Sequence, residues 1–235
     1  MKNIFTVNSY DFRNTFREPV FRVILFFPLI AFSVIKWGYP FISGRFDLGE
    51  EYNALVVMWG SLQSGIMFGF IYGFLMLEEK EENLFAVLKI LPVSLRAVIT
   101  GRLLSGITVS ASVSFLMIHY GGLIKVELLT ALLLAVQFSL SAPLIAVILA
   151  VFSRNRIEGM AVMKIVNMLL IAPGLIYLFP SDLLHISALV PTYWMFRAIE
   201  TAGTESFPLY FLAGYLYPSI VIWLLSLALQ KKIGN

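Results

Sequence analysis

Long, uninterrupted apolar stretches are the feature that most limits what this chain can fold into. Six of them approach or exceed the roughly 20 residues that an α-helix needs to cross a membrane. They cover residues 20–40, 54–77, 98–120, 128–152, 160–179 and 208–229. Their apolar residues run continuously rather than alternating, which favours helices over the strands of a barrel. The sequence therefore predicts an all-α, polytopic membrane protein, with six transmembrane helices in a single domain that covers residues 1–235.

The composition agrees with this class and excludes several kinds of site. Charged residues make up 13% of the 235 residues, about half the share found in a soluble domain. Cys is absent, and the two His, His119 and His185, fall at or beyond the ends of predicted spans. We therefore expect no metal site, no thiol site and no catalytic residue. The net charge of +3 is explained by basic loops, so no nucleic-acid partner is expected.

The distribution of Lys and Arg predicts how the chain is oriented in the membrane. If the N-terminus is cytoplasmic, about thirteen of the 17 Lys and Arg residues lie on the inner side and about four on the outer side. Because cytoplasmic loops carry the excess of basic residues, we expect both termini in the cytoplasm. Residues 1–19 hold Phe5, Phe12 and Phe16 at helical spacing. This spacing predicts an amphipathic helix at the membrane interface, and a partly ordered tail is the alternative.

Small residues recur at every fourth position of the second predicted span. They are Ser61, Gly65, Gly69 and Gly73. Residues four apart lie on one face of a helix, and small side chains there let two helix backbones approach closely. The stripe therefore predicts a helix-packing surface. Its partner is either another helix of this chain or a helix of a second copy.

A few polar residues interrupt the spans, and in a membrane such residues are functional candidates. Gln137 and Asn167 are candidates for contact with a substrate along its path through the membrane. The alternative for both is a hydrogen bond to a neighbouring helix. Lys164 lies close enough to the cytoplasmic edge to extend its ammonium group to the interface. None of the spans has Asp or Glu in its middle, which disfavours an ion-coupled carrier and favours an external energy source.

The most highly charged stretch, residues 78–97, follows the second predicted span. Its acidic residues are Glu78, Glu79, Glu81 and Glu82. We expect them at the start of a short helix, where carboxylates suit the helix dipole. The apolar face of that helix would consist of Leu84, Phe85, Leu88 and Leu91, and Pro92 would end it. A helix resting on lipid is the alternative, but acidic residues fit the anionic inner leaflet poorly. The loop therefore predicts a surface for a protein partner.

These features resemble the membrane subunits of type-two ATP-binding-cassette (ABC) exporters, the six-span permeases of bacterial drug, lipid and polysaccharide export. In that family the first cytoplasmic loop is acid-rich, forms an apolar helix, and continues with a Pro-Val/Leu-Ser motif and a basic residue after Gly. The matching positions here are Glu78–Glu82, Leu84–Leu91, Pro92-Val93-Ser94 and Gly101-Arg102. Residues Arg17–Pro28 also resemble the entry into the family's first span. The chain departs from the pattern at Asn83-Leu84, where Gly-Thr is common, and at Arg102, where Lys is usual. Within this family, the chain resembles the drug-export branch of the fluoroquinolone type.

The resemblance implies a transport subunit rather than an enzyme. Two permease subunits, identical or homologous, would pair in the plasma membrane of a prokaryote and bind two ABC ATPase subunits. Those partner subunits would hold ATP and Mg, and this chain would bind no cofactor. The helix at residues 84–91 would be the coupling helix that transmits ATPase closure to the second and third spans. The cargo would be a hydrophobic or amphipathic drug or lipid. A stand-alone carrier or channel is the first alternative, and a membrane-embedded enzyme is the second.

Overall fold

Helices make up almost all of the described part of the chain, and no strand occurs in it. The computed structural model describes the backbone of residues 19–82, 95–179 and 182–234, and the side chains of residues 26–82, 97–179 and 186–232. The predicted N-terminal interfacial helix lies outside the described residues except for Pro19. The predicted coupling helix lies outside them entirely.

The described α-helices follow one another with short connections. In chain order they are Pro19–Ser33 (α1), Tyr39–Phe46 (α2), Glu51–Glu81 (α3), Leu95–Tyr120 (α4), Leu128–Ser139 (α5), Ser141–Phe152 (α6), Arg156–Ile171 (α7), Pro191–Glu200 (α8) and Phe207–Gly234 (α9). A π-helical turn, Val34–Gly38, joins α1 to α2. Two 3-10 segments, Ala172–Tyr177 and Asp182–Leu189, lie between α7 and α8.

Six helical stretches in the described residues are long and apolar enough to cross a membrane. We name them spans 1 to 6: Phe26–Phe46, Glu51–Glu81, Ala97–Tyr120, Leu128–Phe152, Arg156–Tyr177 and Phe207–Lys232. This result confirms the prediction of an all-α protein with six transmembrane helices. The connections between spans 1 and 2, spans 3 and 4, and spans 4 and 5 cover residues 47–50, 121–127 and 153–155. Each is too short to return across a bilayer, so the spans that it joins run in opposite directions.

Span 1 extends further than the sequence predicts. The interface-type residues Lys36 and Trp37 suggest an end there, followed by a loop from Pro40 to Asn53. The helix instead continues through the π-helical turn to Phe46. Pro40 is compatible with this path because it lies in the first turn of α2, where its missing N–H leaves little unsatisfied. The loop is therefore confined to residues 47–50.

Proline marks a change of helix geometry in spans 4 and 5. Span 4 consists of α5 and α6, which are separated at Leu140, three residues before Pro143. Pro143 has no N–H to donate to the preceding turn, so the α-helical bonding is interrupted there. In span 5, α7 gives way to a 3-10 segment that contains Pro173 and Gly174. In both spans the regular α-helical hydrogen bonding changes within three residues of a proline.

Spans 2 and 4 form the centre of the bundle. In their most apolar windows 67% and 72% of the residues are buried, whereas the corresponding shares in the other four spans are 17–28%. The most extensive helix contacts join span 2 to spans 3 and 4, span 3 to the first half of span 4, and α8 to span 6. The outer faces of spans 1, 3, 5 and 6 are consequently left for lipid or for other proteins.

Candidate functional site

One end of the bundle holds a network of charged side chains, and we name it the charged end. Its members are Glu78, Glu79, Lys80, Glu81, Arg102, Arg156 and Lys232. They come from the last turn of span 2, the first turns of span 3, the start of span 5 and the end of span 6. The undescribed residues 83–94 connect two of these elements, spans 2 and 3.

The ion pair between Glu79 and Arg102 is the most buried contact of the charged end. The Arg102 guanidinium donates from Nη1 to Oε2 at 2.5 Å and from Nη2 to Oε1 at 2.6 Å. The side chain of Arg102 is 4% exposed and that of Glu79 is 15% exposed. Such two-point contacts are geometrically specific as well as strong. The pair therefore locks the last turn of span 2 against the first turns of span 3.

Arg156 makes a second connection, from span 5 to span 2. Its Nε donates to Glu81 Oε2 at 2.9 Å, its backbone N–H donates to Glu81 Oε1 at 2.8 Å, and its Nη1 lies 3.3 Å from Glu78 Oε1. Asn155 caps span 5 by accepting a bond from the Glu158 N–H at 2.8 Å. The start of span 5 is thus held both by its own cap and by the end of span 2.

Two lysines bind the end of span 4. Lys80 Nζ donates to the Ser153 carbonyl at 2.8 Å, and Lys232 Nζ donates to the Val151 carbonyl at 2.8 Å. The last carbonyls of a helix lack helical partners and carry the negative end of the helix dipole, so ammonium groups suit this position. Through these contacts the charged end also includes spans 4 and 6.

The structure places the acidic residues of the loop in a different helix from the one that the sequence predicts. Glu78, Glu79 and Glu81 belong to the last turn of the 31-residue helix α3 rather than to the start of a following helix. The dipole disfavours carboxylates at a helix C-terminus, and the arginines of spans 3 and 5 compensate for it. Glu82 ends the helix and is exposed. The remaining predicted coupling residues, Leu84, Phe85, Leu88, Leu91 and Pro92, lie outside the described residues.

The small-residue stripe of span 2 lies against span 4 of the same chain. A Cβ atom on Gly69 would be 2.6 Å from the Ala142 carbonyl oxygen, and one on Gly73 would be 2.7 Å from Leu149 Cδ1. A Cβ atom on Gly65 would overlap the Ser141 hydroxyl. The two backbones are therefore in direct contact over about two turns, which explains the requirement for glycine at these positions.

Gln137 and Asn167 have different surroundings. Gln137 is fully buried in α5, and its Nε2 donates to the Phe211 carbonyl in span 6 at 2.8 Å. Its amide also lies against Gly214, where a Cβ atom would collide with it. Asn167 lies half-buried in span 5, and its Oδ1 is buried without a hydrogen-bond partner in the described structure. Gln137 thus connects two helices, and each of the two amides keeps a buried oxygen without a partner in the described structure.

A cluster of buried serines between spans 2 and 3 was not anticipated from the sequence. Ser64 Oγ lies 2.7 Å from Ser114 Oγ and 3.1 Å from Ser110 Oγ, and it donates to the Ser61 carbonyl at 2.8 Å. All four side chains are at most 1% exposed. The signal in the sequence is the spacing of three and four residues, which places each pair of serines on one helix face. The cluster is a polar contact that joins two apolar helices.

The opposite end of the bundle carries a separate charged cluster around α8. Arg197 Nη1 donates to Glu200 Oε2 at 2.6 Å, and the Tyr177 hydroxyl donates to the same oxygen at 3.0 Å. The Arg197 guanidinium lies 5.0 Å from the centre of the Tyr210 ring. Burial acts to lower the pKa of Arg197, but its hydrogen bond to Tyr210 and the Glu200 carboxylate raise that pKa overall. Most residues of α8 are buried against the bundle.

Comparisons with known proteins agree with the architecture. The model of the family described as "Fluoroquinolones export permease protein Rv2686c-like" matches residues 11–226. Two relatives, the fluoroquinolones export permease proteins MT2760 and Rv2686c, come from Mycobacterium tuberculosis strains CDC 1551 / Oshkosh and ATCC 25618 / H37Rv. Each is 23% identical over 232 residues, which cover 94% of this chain and 92% of the relative. No solved structure matches the chain.

The family match covers spans 1 to 5, most of span 6 and every member of the charged end except Lys232. It confirms the resemblance to ABC-type drug-export permeases that the loop and the spans predict from the sequence. The chain therefore belongs to the Rv2686c-like family of fluoroquinolone export permease proteins, and it is a permease of an export system.

Proposed function

We propose that this chain is the membrane-spanning subunit of an ABC exporter, driven by ATP that a separate ATPase subunit hydrolyses. Two permease subunits, identical or homologous, would pair in the plasma membrane of a prokaryote. The charged end and both termini would face the cytoplasm, where residues 78–97 would bind the ATPase. ATP and Mg would be bound by the ATPase, and no cofactor by this chain.

The observation that carries this proposal is the set of ion pairs at the charged end. Residues 83–94 follow directly on the turn that contains Glu79 and Glu81. That turn is bound to span 3 by Arg102 and to span 5 by Arg156. A protein that pushes on residues 83–94 would therefore move the ends of three spans together. A permease that takes its energy from a soluble partner needs such a rigid connection.

The cargo is proposed to be a hydrophobic or amphipathic molecule. The names of the two relatives make a fluoroquinolone the first compound to test. Gln137 and Asn167 are the proposed polar contacts along the path. Gln137 would take part through the contact between spans 4 and 6, because its amide is bound to the Phe211 carbonyl. Asn167 would offer the Nδ2 of its amide, which is not among the buried atoms, directly to the cargo.

The decisive experiment is site-specific photo-crosslinking in the native membrane. A photoreactive amino acid is placed at Phe85, and a matched control is placed at Phe46, which is 68% exposed at the opposite end of the bundle. We expect a soluble ATPase of about 25–35 kDa, the size of a one- or two-lobed domain, to crosslink at Phe85 and not at Phe46.

The alternative outcomes discriminate between functions. If neither position captures a soluble protein, residues 83–94 contact lipid and the ATP-driven mechanism is refuted. If purified permease in liposomes moves a fluoroquinolone without ATPase or ATP, the protein is a stand-alone carrier. If the ATPase is captured and its hydrolysis rate rises with added cargo, both parts of the proposal stand.

A further inference from the structure

Span 5 carries a polar pair on a face that is otherwise apolar and points away from the bundle. Lys164 is exposed, and its neighbours on this face include Ile165, which is 63% exposed, and Met168, which is 78% exposed. Asn167 lies three residues further along, so the two side chains are neighbours on the helix surface. Placing a charged side chain within a membrane span costs free energy, so such residues are usually functional.

Neither side chain is satisfied within the described part of the chain. No hydrogen bond or ion pair to Lys164 or Asn167 occurs there, whereas Lys80 and Lys232 of the charged end donate to carbonyl groups. The Oδ1 of Asn167 is buried, but its Nδ2, the donor atom of the amide, is not among the buried atoms and makes no hydrogen bond in the described structure. A carboxylate or phosphate can accept hydrogen bonds from such donors. The pair therefore has donor groups that nothing within the described bundle uses.

The depth of Lys164 suits a ligand that approaches from the membrane. Lys164 is eight residues from Arg156, so its Cα lies about 12 Å along the helix from the start of span 5. Side chains on a helix tilt toward its N-terminus, which here is the charged end. The flexible stem thus directs the ammonium group toward the headgroup region of that leaflet, while Asn167 remains deeper.

We propose that Lys164 and Asn167 form a binding site for the carboxylate or phosphate of an amphipathic molecule that reaches span 5 from the lipid. The Lys164 ammonium supplies the charge, and the Asn167 amide supplies a second hydrogen bond one turn deeper. The apolar face around Met168 accommodates the hydrophobic part of the ligand. The ligand is either a resident anionic lipid or the cargo itself. The assignment of the ligand as cargo rests on the proposed function, whereas the existence of the anion site does not depend on it.

Two matched photoreactive probes test this site. One is a fatty acid with a diazirine beside its carboxyl group, and the other is the methyl ester of the same compound. The full-length protein is placed in nanodiscs of neutral phosphatidylcholine, without ATP or ATPase, and labelling of residues 160–172 is measured by peptide mass spectrometry. Because no transport is involved, failure of the exporter proposal would not affect the result.

We expect the acid to label this segment about fivefold more than the ester, the factor expected for one Lys charge near an anionic group. Lys164→Gln should remove the difference, and Lys164→Arg should preserve it. Asn167→Leu should lower acid labelling about threefold, the size of one hydrogen bond. Met160→Gln is the matched control, because Met160 is 49% exposed on the same face one turn nearer to the charged end. It should leave labelling unchanged.

Competition identifies the source of the anion. Displacement of the acid probe by phosphatidylglycerol assigns the site to lipid, and displacement by a fluoroquinolone, which carries a carboxylate, assigns it to cargo. Equal labelling by acid and ester, unchanged acid labelling in Lys164→Gln, or displacement by neither competitor would overturn the proposal. Size-exclusion profiles that match the wild type show that each variant is folded, as expected for exposed Lys164 and Met160 and half-buried Asn167.

Discussion

Replacing Arg102 with Met should be among the most destabilising single changes at the charged end. The substitution removes both bonds to Glu79, at 2.5 and 2.6 Å, and leaves a carboxylate that is only 15% exposed between packed helices. Breaking a buried ion pair from one side typically costs about 3–5 kcal/mol. Because Glu79 keeps some contact with solvent, we expect the free energy of unfolding to fall by about 2–4 kcal/mol.

The double variant separates the contribution of charge from that of packing. When Glu79→Leu accompanies Arg102→Met, no unpaired carboxylate remains, and such replacements of a buried pair are often neutral. We expect the double variant to lie within about 1 kcal/mol of the wild type. Glu79→Leu alone leaves Arg102 unpaired and 4% exposed, so it should also lose about 2–4 kcal/mol. The two single losses together should then exceed the loss in the double variant by at least about 3 kcal/mol, which is the coupling energy between the two positions. Arg154→Met is the control: Arg154 is exposed, so the expected change is within about 0.5 kcal/mol.

The assay is unfolding of the purified protein by a denaturing detergent, followed by the fluorescence of its four Trp residues. Arg102→Met should unfold at a clearly lower detergent fraction than both the wild type and the double variant. Two results would refute the reasoning. One is a loss of less than about 0.5 kcal/mol in Arg102→Met, and the other is a double variant that is as unstable as the sum of its single changes.

Three further predictions concern packing, orientation and coupling. Gly69→Ala should lower the free energy of unfolding by about 1–3 kcal/mol, because the new Cβ would meet a backbone carbonyl at 2.6 Å. The control Gly44→Ala, with no atom within 4 Å of its Cβ, should not lower it. Equal effects of the two changes in the same detergent titration would contradict the close contact. Because the chain has no Cys, the single variants Glu82→Cys and Glu50→Cys can each be labelled in intact cells with a membrane-impermeant maleimide. If the charged end is cytoplasmic, only Glu50→Cys should react. Phe85→Asp should leave membrane insertion unchanged but abolish cargo-stimulated ATP hydrolysis, and normal stimulation in a reconstituted ATPase assay would exclude a coupling role for that side chain.

Much of the architecture follows from the sequence because the bilayer imposes it. An apolar run of about 20 residues must become a helix, since lipid provides no partners for free backbone groups. The six spans could therefore be predicted individually. Their ends could not, because charged residues at an end can belong either to the helix or to the loop. Span 2 continues through Glu81 since Glu and Lys are good helix formers and Arg102 and Arg156 pair with its last turn.

The contact partners of individual side chains were harder to predict from the sequence. The spacing of Gly65, Gly69 and Gly73 predicts a packing face but leaves its partner open, and the structure places Ala142 and Ala146 of span 4 there. Similarly, Gln137 is recognisable as an intramembrane amide, but only the position of span 6 shows that it bonds to the Phe211 carbonyl. In both cases the missing information is which helices are neighbours.

By itself, the sequence determined the class of the protein, the number of its spans, the face of span 2 that packs and the loop that resembles that of an ABC permease. These properties depend on residues close together in the chain, whose relative positions a helix sets. Only the tertiary structure decided that Glu79 pairs with Arg102 and Glu81 with Arg156, and that Lys164 has no partner among the described residues. Such contacts join residues on different helices, and their positions depend on the packing of the whole bundle.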